Sequence, residues 1–171
     1  MIRILGLFAA LVFALPAFAQ PLPASLDKKN AIVIDTTKGR VVIALRTDIA
    51  PNHADRIKQL ARDGYYNNVP FHRVIEGFMA QGGATGKTYP QLPAEFNDVE
   101  HLPGVCSMAR TNDPNSASDQ FFICFADCRF LDRQYTVWGR VILGMEHINS
   151  IARGEPPENP TCIVNMQVLL P

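Results

Sequence analysis

Little in this sequence would fix a function by charge or by a reactive side chain. Its 171 residues carry 16 Lys and Arg against 16 Asp and Glu. A balance of that kind leaves no electrostatic footprint for nucleic acid or an anionic membrane, so partners are expected to be chosen by shape and apolar contact. Long apolar runs are missing, with one exception. Arg3 is followed by the uncharged stretch 4–19, which Pro16 interrupts and Ala17-Phe18-Ala19 ends. That run is short for a membrane span, which needs roughly 20 residues. A positive start, a short apolar core and a small-x-small end read as a signal peptide removed after Ala19. The expectation is a periplasmic or secreted protein with no membrane attachment after cleavage. Removal takes away Arg3 alone among the charged residues, leaving 15 basic against 16 acidic.

Reactive motifs are lacking as well. His53, His72, His101 and His147 show no H-E-x-x-H spacing, and the cysteines form no C-x-x-C, so no metal is expected. Ser107 lacks the G-x-S-x-G elbow of a serine nucleophile. Residues 82–88, Gly-Gly-Ala-Thr-Gly-Lys-Thr, imitate a phosphate loop, but their glycines stand one residue too close. Tyr89-Pro90 then opposes the helix that such a loop must open. No nucleophile stands out. Cys106, Cys124, Cys128 and Cys162 allow three disulfide pairings in an exported chain, or can stay as free buried thiols. Cys124 and Cys128 are close enough in sequence to close a small loop.

What is present reads as one domain of short strands. Residues 20–29, with Pro21 and Pro23, look like a loose leader, and residues 30–171 form the domain. Stretches 31–35 and 40–45 flank Thr36-Thr37-Lys38-Gly39, which predicts a hairpin. Pro51 starts a helix carrying Ala54, Ile57, Leu60 and Ala61, with Gly64 as its stop. Residues 85–101 have no sustained pattern. Strands are predicted over 104–108, 120–125, 136–141 and 162–170, the last with alternate residues buried. Met145, Ile148, Ile151 and Ala152 predict a second helix ending at Gly154. The sum is a mainly β, closed or nearly closed barrel whose ends two helices cover.

The most informative stretch is 71–83, Phe-His-Arg-Val-Ile-Glu-Gly-Phe-Met-Ala-Gln-Gly-Gly. Alternation puts Phe71, Arg73 and Ile75 on one face, with His72 and Val74 on the other. Gly77 then permits a bend into a second strand over 78–81. A cation beside an apolar floor suits a greasy ligand that carries a carbonyl.

This stretch resembles the signature of the cyclophilin-type peptidyl-prolyl isomerases. The resemblance continues through Pro-Gly-Val-Cys-Ser-Met-Ala-Arg (103–110), Asp-Gln-Phe-Phe-Ile (119–123), Phe130-Leu131-Asp132 and Val-Trp-Gly-Arg-Val (137–141). It covers about residues 30–170. It implies a closed eight-stranded antiparallel barrel with two capping helices, needing no cofactor and acting as a monomer on proline-containing peptides and unfolded exported proteins. By similarity Arg73 is the catalytic residue, and Phe78, Met79, Phe122 and Leu131 line the proline pocket. Tyr135 stands where many members carry histidine. Gln81 and the backbone of Ala109 would hold the peptide, with Arg110 at the rim. Phe121 is expected in the core, since strand neighbours face opposite ways.

The chemistry that the resemblance implies suits a chain without a nucleophile, because no bond is broken. X-Pro rotation meets a barrier of about 18–20 kcal/mol from amide resonance. In the twisted transition state the proline nitrogen becomes pyramidal and can accept a hydrogen bond, and a guanidinium is a rigid, permanently charged donor. Two other readings compete. The domain could hold proline-containing segments without turnover, or Cys124 and Cys128 could impose thiol control. The sequence also departs from the family pattern. Ala84 replaces a common aspartate, and the loop 86–96 looks shortened. Phe130 replaces the tryptophan that contacts cyclosporin in many members, which predicts weak cyclosporin binding, and Trp138 stands where phenylalanine is usual.

Overall fold

The structure, a computed structural model, describes residues 21–170. The expected signal peptide lies outside the described residues. In the stretch read as a leader, Asp27 caps a single 3-10 turn at Lys28–Asn30 by accepting from the backbone N–H of Lys29.

Among the described residues nine strands form one antiparallel sheet. In chain order they are β1 (Ala31–Thr36), β2 (Gly39–Leu45), β3 (Val69–Pro70), β4 (Arg73–Ile75), β5 (Met79–Gly82), β6 (Val105–Met108), β7 (Phe121–Cys124), β8 (Val137–Leu143) and β9 (Cys162–Val168). Helix α1 (Pro51–Arg62) follows β2, and α2 (Met145–Asn149) follows β8. The strand order is β3-β9-β1-β2-β8-β6-β7-β5-β4. Eight strands were expected, and the ninth has a simple origin. β3 and β4 are two pieces of one segment in which Phe71-His72 interrupts the ladder. β3 pairs with β9 and β4 with β5. Between them Phe71 N–H donates to the Thr161 carbonyl and His72 N–H to the Gln81 carbonyl. The two ends of the sheet therefore belong to the same seven residues, and the sheet closes on itself.

That interruption corrects one expectation. Phe71 and Arg73 do not share a face: Phe71 is fully buried in the barrel core, while Arg73 is exposed. Val74, predicted on the opposite face from Phe71, joins it in the core. The strand pleat is broken at Phe71-His72, so period two does not run through the segment.

Two other boundaries differ from the pattern. α2 stops at Asn149, because the chain beyond it turns so that Gly154 can bridge to Val74. In β9 Ile163 and Met166 are both buried although three apart. A bulge opposite Asp35/Thr36 leaves Val164 unpaired and exposed, which shifts the alternation.

The main core fills the barrel. Ile32, Ile34, Ile43, Phe121, Ile123 and Trp138 come from strands, Ile57 and Leu60 from α1, and Ile148 from α2. A second, smaller cluster of Met79, Phe122, Cys124, Cys128 and Leu131 lies on the other face of β5 and β7. β7 is thus buried on both sides, Phe121 and Ile123 inward, Phe122 and Cys124 outward. This is why Phe-Phe-Ile-Cys reads as an unbroken apolar run.

Candidate active site

The site lies over that second cluster. Antiparallel register sets Arg73 opposite Gln81 and Ile75 opposite Met79, then Gln81 opposite Phe122, and finally Phe122 opposite Ser107. Four neighbouring strands thus deliver a guanidinium, an amide and an aromatic floor in one row. Gly77, in the left-handed region at φ 68°, makes the β4–β5 turn that sets this register. Gly83 ends β5 at φ 94°, where a Cβ would stand 2.8 Å from the Asp119 carbonyl oxygen.

One cavity of about 100 Å³ is lined by Arg73, Phe78, Met79, Gln81, Ala109, Arg110, Phe122, Leu131 and Tyr135. These are all of the residues singled out in the sequence except Phe130. Phe130 is 66% exposed and packs instead on Phe78, ring centroids 5.4 Å apart. It forms a shelf outside the cavity.

The floor is apolar. Met79, Phe122 and Leu131 are buried, and Tyr135 meets Phe122 edge to face at 5.6 Å. The rim is polar. The Arg110 guanidinium stacks 4.6 Å from the Tyr135 ring and donates through Nε to the Gln134 carbonyl at 2.8 Å. Gln81 Nε2 donates to Gln120 Oε1 at 3.1 Å. The backbone N–H of Ala109 is committed to the Gln120 carbonyl. Arg73 Nε lies 3.4 Å from Glu155 Oε1, which leaves the terminal nitrogens of the fork for the cavity.

Behind the floor, sequence reasoning missed a polar layer. His101 is fully buried and lies parallel to Phe122, ring centroids 6.2 Å apart. Its Nδ1 is 2.8 Å from Asp132 Oδ1, and its Nε2 is 2.9 Å from Ser107 Oγ. Burial pushes the Asp132 carboxyl up, but hydrogen bonds from the His101 backbone and ring outweigh it and hold the pKa below the usual carboxylate range. No local pattern could have joined three residues spread over 101–132. Glu155 escaped for the same reason: only the Gly154–Val74 bridge brings it to Arg73.

Among the described residues all four cysteines are free. Burial above all, with neighbouring Cys128 next, raises the Cys124 thiol, and burial likewise raises Cys128. Both are therefore protonated and weakly nucleophilic.

The family model for cyclophilin type peptidyl-prolyl cis-trans isomerases matches residues 31–168. The chain belongs to the cyclophilins. Its activity is accordingly peptidyl-prolyl cis-trans isomerisation, EC 5.2.1.8. A probable peptidyl-prolyl cis-trans isomerase of Brucella suis is 42% identical over 171 residues, spanning 90% of this chain and 87% of that protein. Peptidyl-prolyl cis-trans isomerase A of Dickeya dadantii is 36% identical over 83% of this chain and 80% of its own length. Among solved structures, the cyclophilin AquaCyp293 of Hirschia baltica superposes with a TM-score of 0.79 at 35% identity, covering 84% of this chain and 75% of its own. A Cryptosporidium parvum cyclophilin, determined in the presence of the dipeptide Ala-Pro, gives 0.74 at 27% identity, over 81% of this chain and 98% of that one.

Proposed function

We propose that this cyclophilin accelerates X-Pro rotation in unfolded proteins after export, with Arg73 as the catalytic donor. The supporting observation is the cavity itself: a guanidinium on one wall faces an apolar floor of Met79, Phe122 and Leu131. The proline ring enters this floor, which holds it still. Gln81 and the carbonyl of Ala109 hold the adjoining backbone, and the residue before proline rotates past Arg73. As the amide twists, its nitrogen gains a lone pair that the terminal N–H groups of Arg73 meet. The planar ground states offer no such acceptor, so the bond is made mainly in the transition state and lowers the barrier. Phe130 and Phe78 offer an apolar shelf to the flanking residue. The run over 4–19 supports export, and the mature protein acts as a monomer in the periplasm or medium.

The test compares mature wild type with Arg73→Ala on a short Ala-Pro peptide. Loss of one such donor is expected to lower kcat/KM by about 10²–10³-fold with no change in Tm. Equal rates from the two folded proteins would remove Arg73 from the chemistry. Amino-terminal sequencing of the exported protein should begin at Gln20. A start at Met1 would exclude cleavage.

A further inference from the structure

The buried polar layer behind the pocket has the order carboxylate, imidazole, hydroxyl. That order imitates an acyl-transfer relay, yet Ser107 Oγ cannot act as a nucleophile. Ser107 is fully buried in β6, paired with Phe122 beneath the floor, and no substrate carbonyl reaches it. The layer has a different use. Asp132 Oδ1 accepts from both the backbone N–H of His101, at 2.9 Å, and its ring Nδ1. Nδ1 therefore carries a proton, and in the neutral ring Nε2 accepts from the Ser107 hydroxyl. The His101 carbonyl accepts from the N–H of Cys128, which opens the 3-10 turn Arg129–Leu131. One residue thus ties together the strand that faces Phe122, the turn that carries Leu131 and the carboxylate next to it. The ring plane itself backs Phe122.

We propose that His101, clamped by Asp132 and Ser107, is a positioning residue for the isomerase site. It fixes Phe122 and Leu131 at the separation that admits a proline ring, which rests on the reading of the cavity as the proline pocket. Imidazole suits the task because it is flat enough to back an aromatic ring and bonds at both edges. A leucine there would fill space without fixing the angle of the floor. Misplacement of a binding wall by a fraction of an ångström loses rate without unfolding the protein.

Asp132 is the better handle, since it is partly exposed and its replacement leaves the core filled. In Asp132→Ala both bonds to His101 are lost. In Asp132→Asn the amide oxygen can still accept both N–H groups. Steady-state rates on an Ala-Pro peptide would be measured at 10 °C, far below unfolding. Asp132→Ala should lose about tenfold in kcat/KM, and Asp132→Asn should recover most of it. His101→Leu should lose at least as much as Asp132→Ala. Glu95→Ala, which weakens α1 away from the pocket, serves as the control for stability alone and should keep the wild-type rate. The proposal is overturned if Asp132→Ala loses no more than Glu95→Ala, or if Asp132→Asn is as poor as Asp132→Ala. Arg73→Ala separates the two readings. A loss there beside an unaffected Asp132→Ala ends only the role of His101, whereas an unaffected Arg73→Ala ends the pocket reading and this role with it.

Discussion

At the scale of single residues, the role proposed for Arg73 suits no other cation. Lysine keeps the charge but not the rigid fork, in which Nε faces Glu155 while the terminal nitrogens stay free to meet a twisted amide. Arg73→Lys is therefore expected to retain little more activity than Arg73→Ala. A lysine variant within threefold of wild type would argue for charge alone. Phe130 makes the second prediction. Its ring stands on the Phe78 shelf without an N–H to donate, so cyclosporin should bind weakly and Phe130→Trp should tighten it about tenfold, read by calorimetry. Most of the pocket was legible at this scale, because Arg73, Phe78, Met79, Gln81 and Phe122 fall within two short motifs. His101, Asp132 and Glu155 were not, since their meaning comes from contacts across tens of residues.

At the scale of elements, the hairpin β1–β2, helix α1 and strands β6 to β8 could be read from apolar spacing and from Pro51. The loop over 85–101 could not. It has no period because its order comes from polar ties to distant chain. α1 has no cap of its own, since Ala50 offers no side-chain acceptor. Glu95 reaches in from the loop instead, accepting from the backbone N–H groups of Asn52 and His53 and from the His53 ring at 2.6 Å. Arg56 returns the tie by donating to the carbonyls of Pro90 and Ser118. Glu95→Ala should cost about 1–2 kcal/mol, a loss of roughly 2–8 °C in Tm by calorimetry. The pH dependence has a definite sign. Burial lowers the pKa of His53, against its hydrogen bond to Glu95, so below about pH 6.5 the unfolded chain takes up a proton that the fold refuses. Burial pushes Glu95 up, but bonds from His53 and Asn52 hold it lower, so its contribution is present above about pH 4.5 and lost as pH falls through the folded value. Tm should decline below pH 6.5 and fall more steeply below pH 4.5. Glu95→Ala should make the second part shallower, leaving the share of Asp132, and keep the first.

At the scale of the whole molecule, a single tryptophan sits in the barrel. Trp138 is fully buried and meets Phe121 edge to face at 5.8 Å, so its fluorescence reports the core that both helices and all the central strands share. Its unfolding curve in urea should coincide with that from circular dichroism, as one cooperative unit requires. Separated midpoints would mean that the helices detach before the sheet opens. The barrel class was legible from many short strands and two helices. The number of strands was not, because a break of two residues in a ladder leaves no mark on composition.

The segment 69–75 has a consequence for the company this protein keeps. Sheets with free margins offer a row of unpaired backbone groups, onto which any extended chain can add itself as the next strand. For the proposed role on unfolded chains, that hazard would be constant. Here one segment fastens both margins, and Gly154 covers the outer side of β4 through paired bonds to Val74. Along that segment an extended chain finds no free row of backbone groups on which to add a strand.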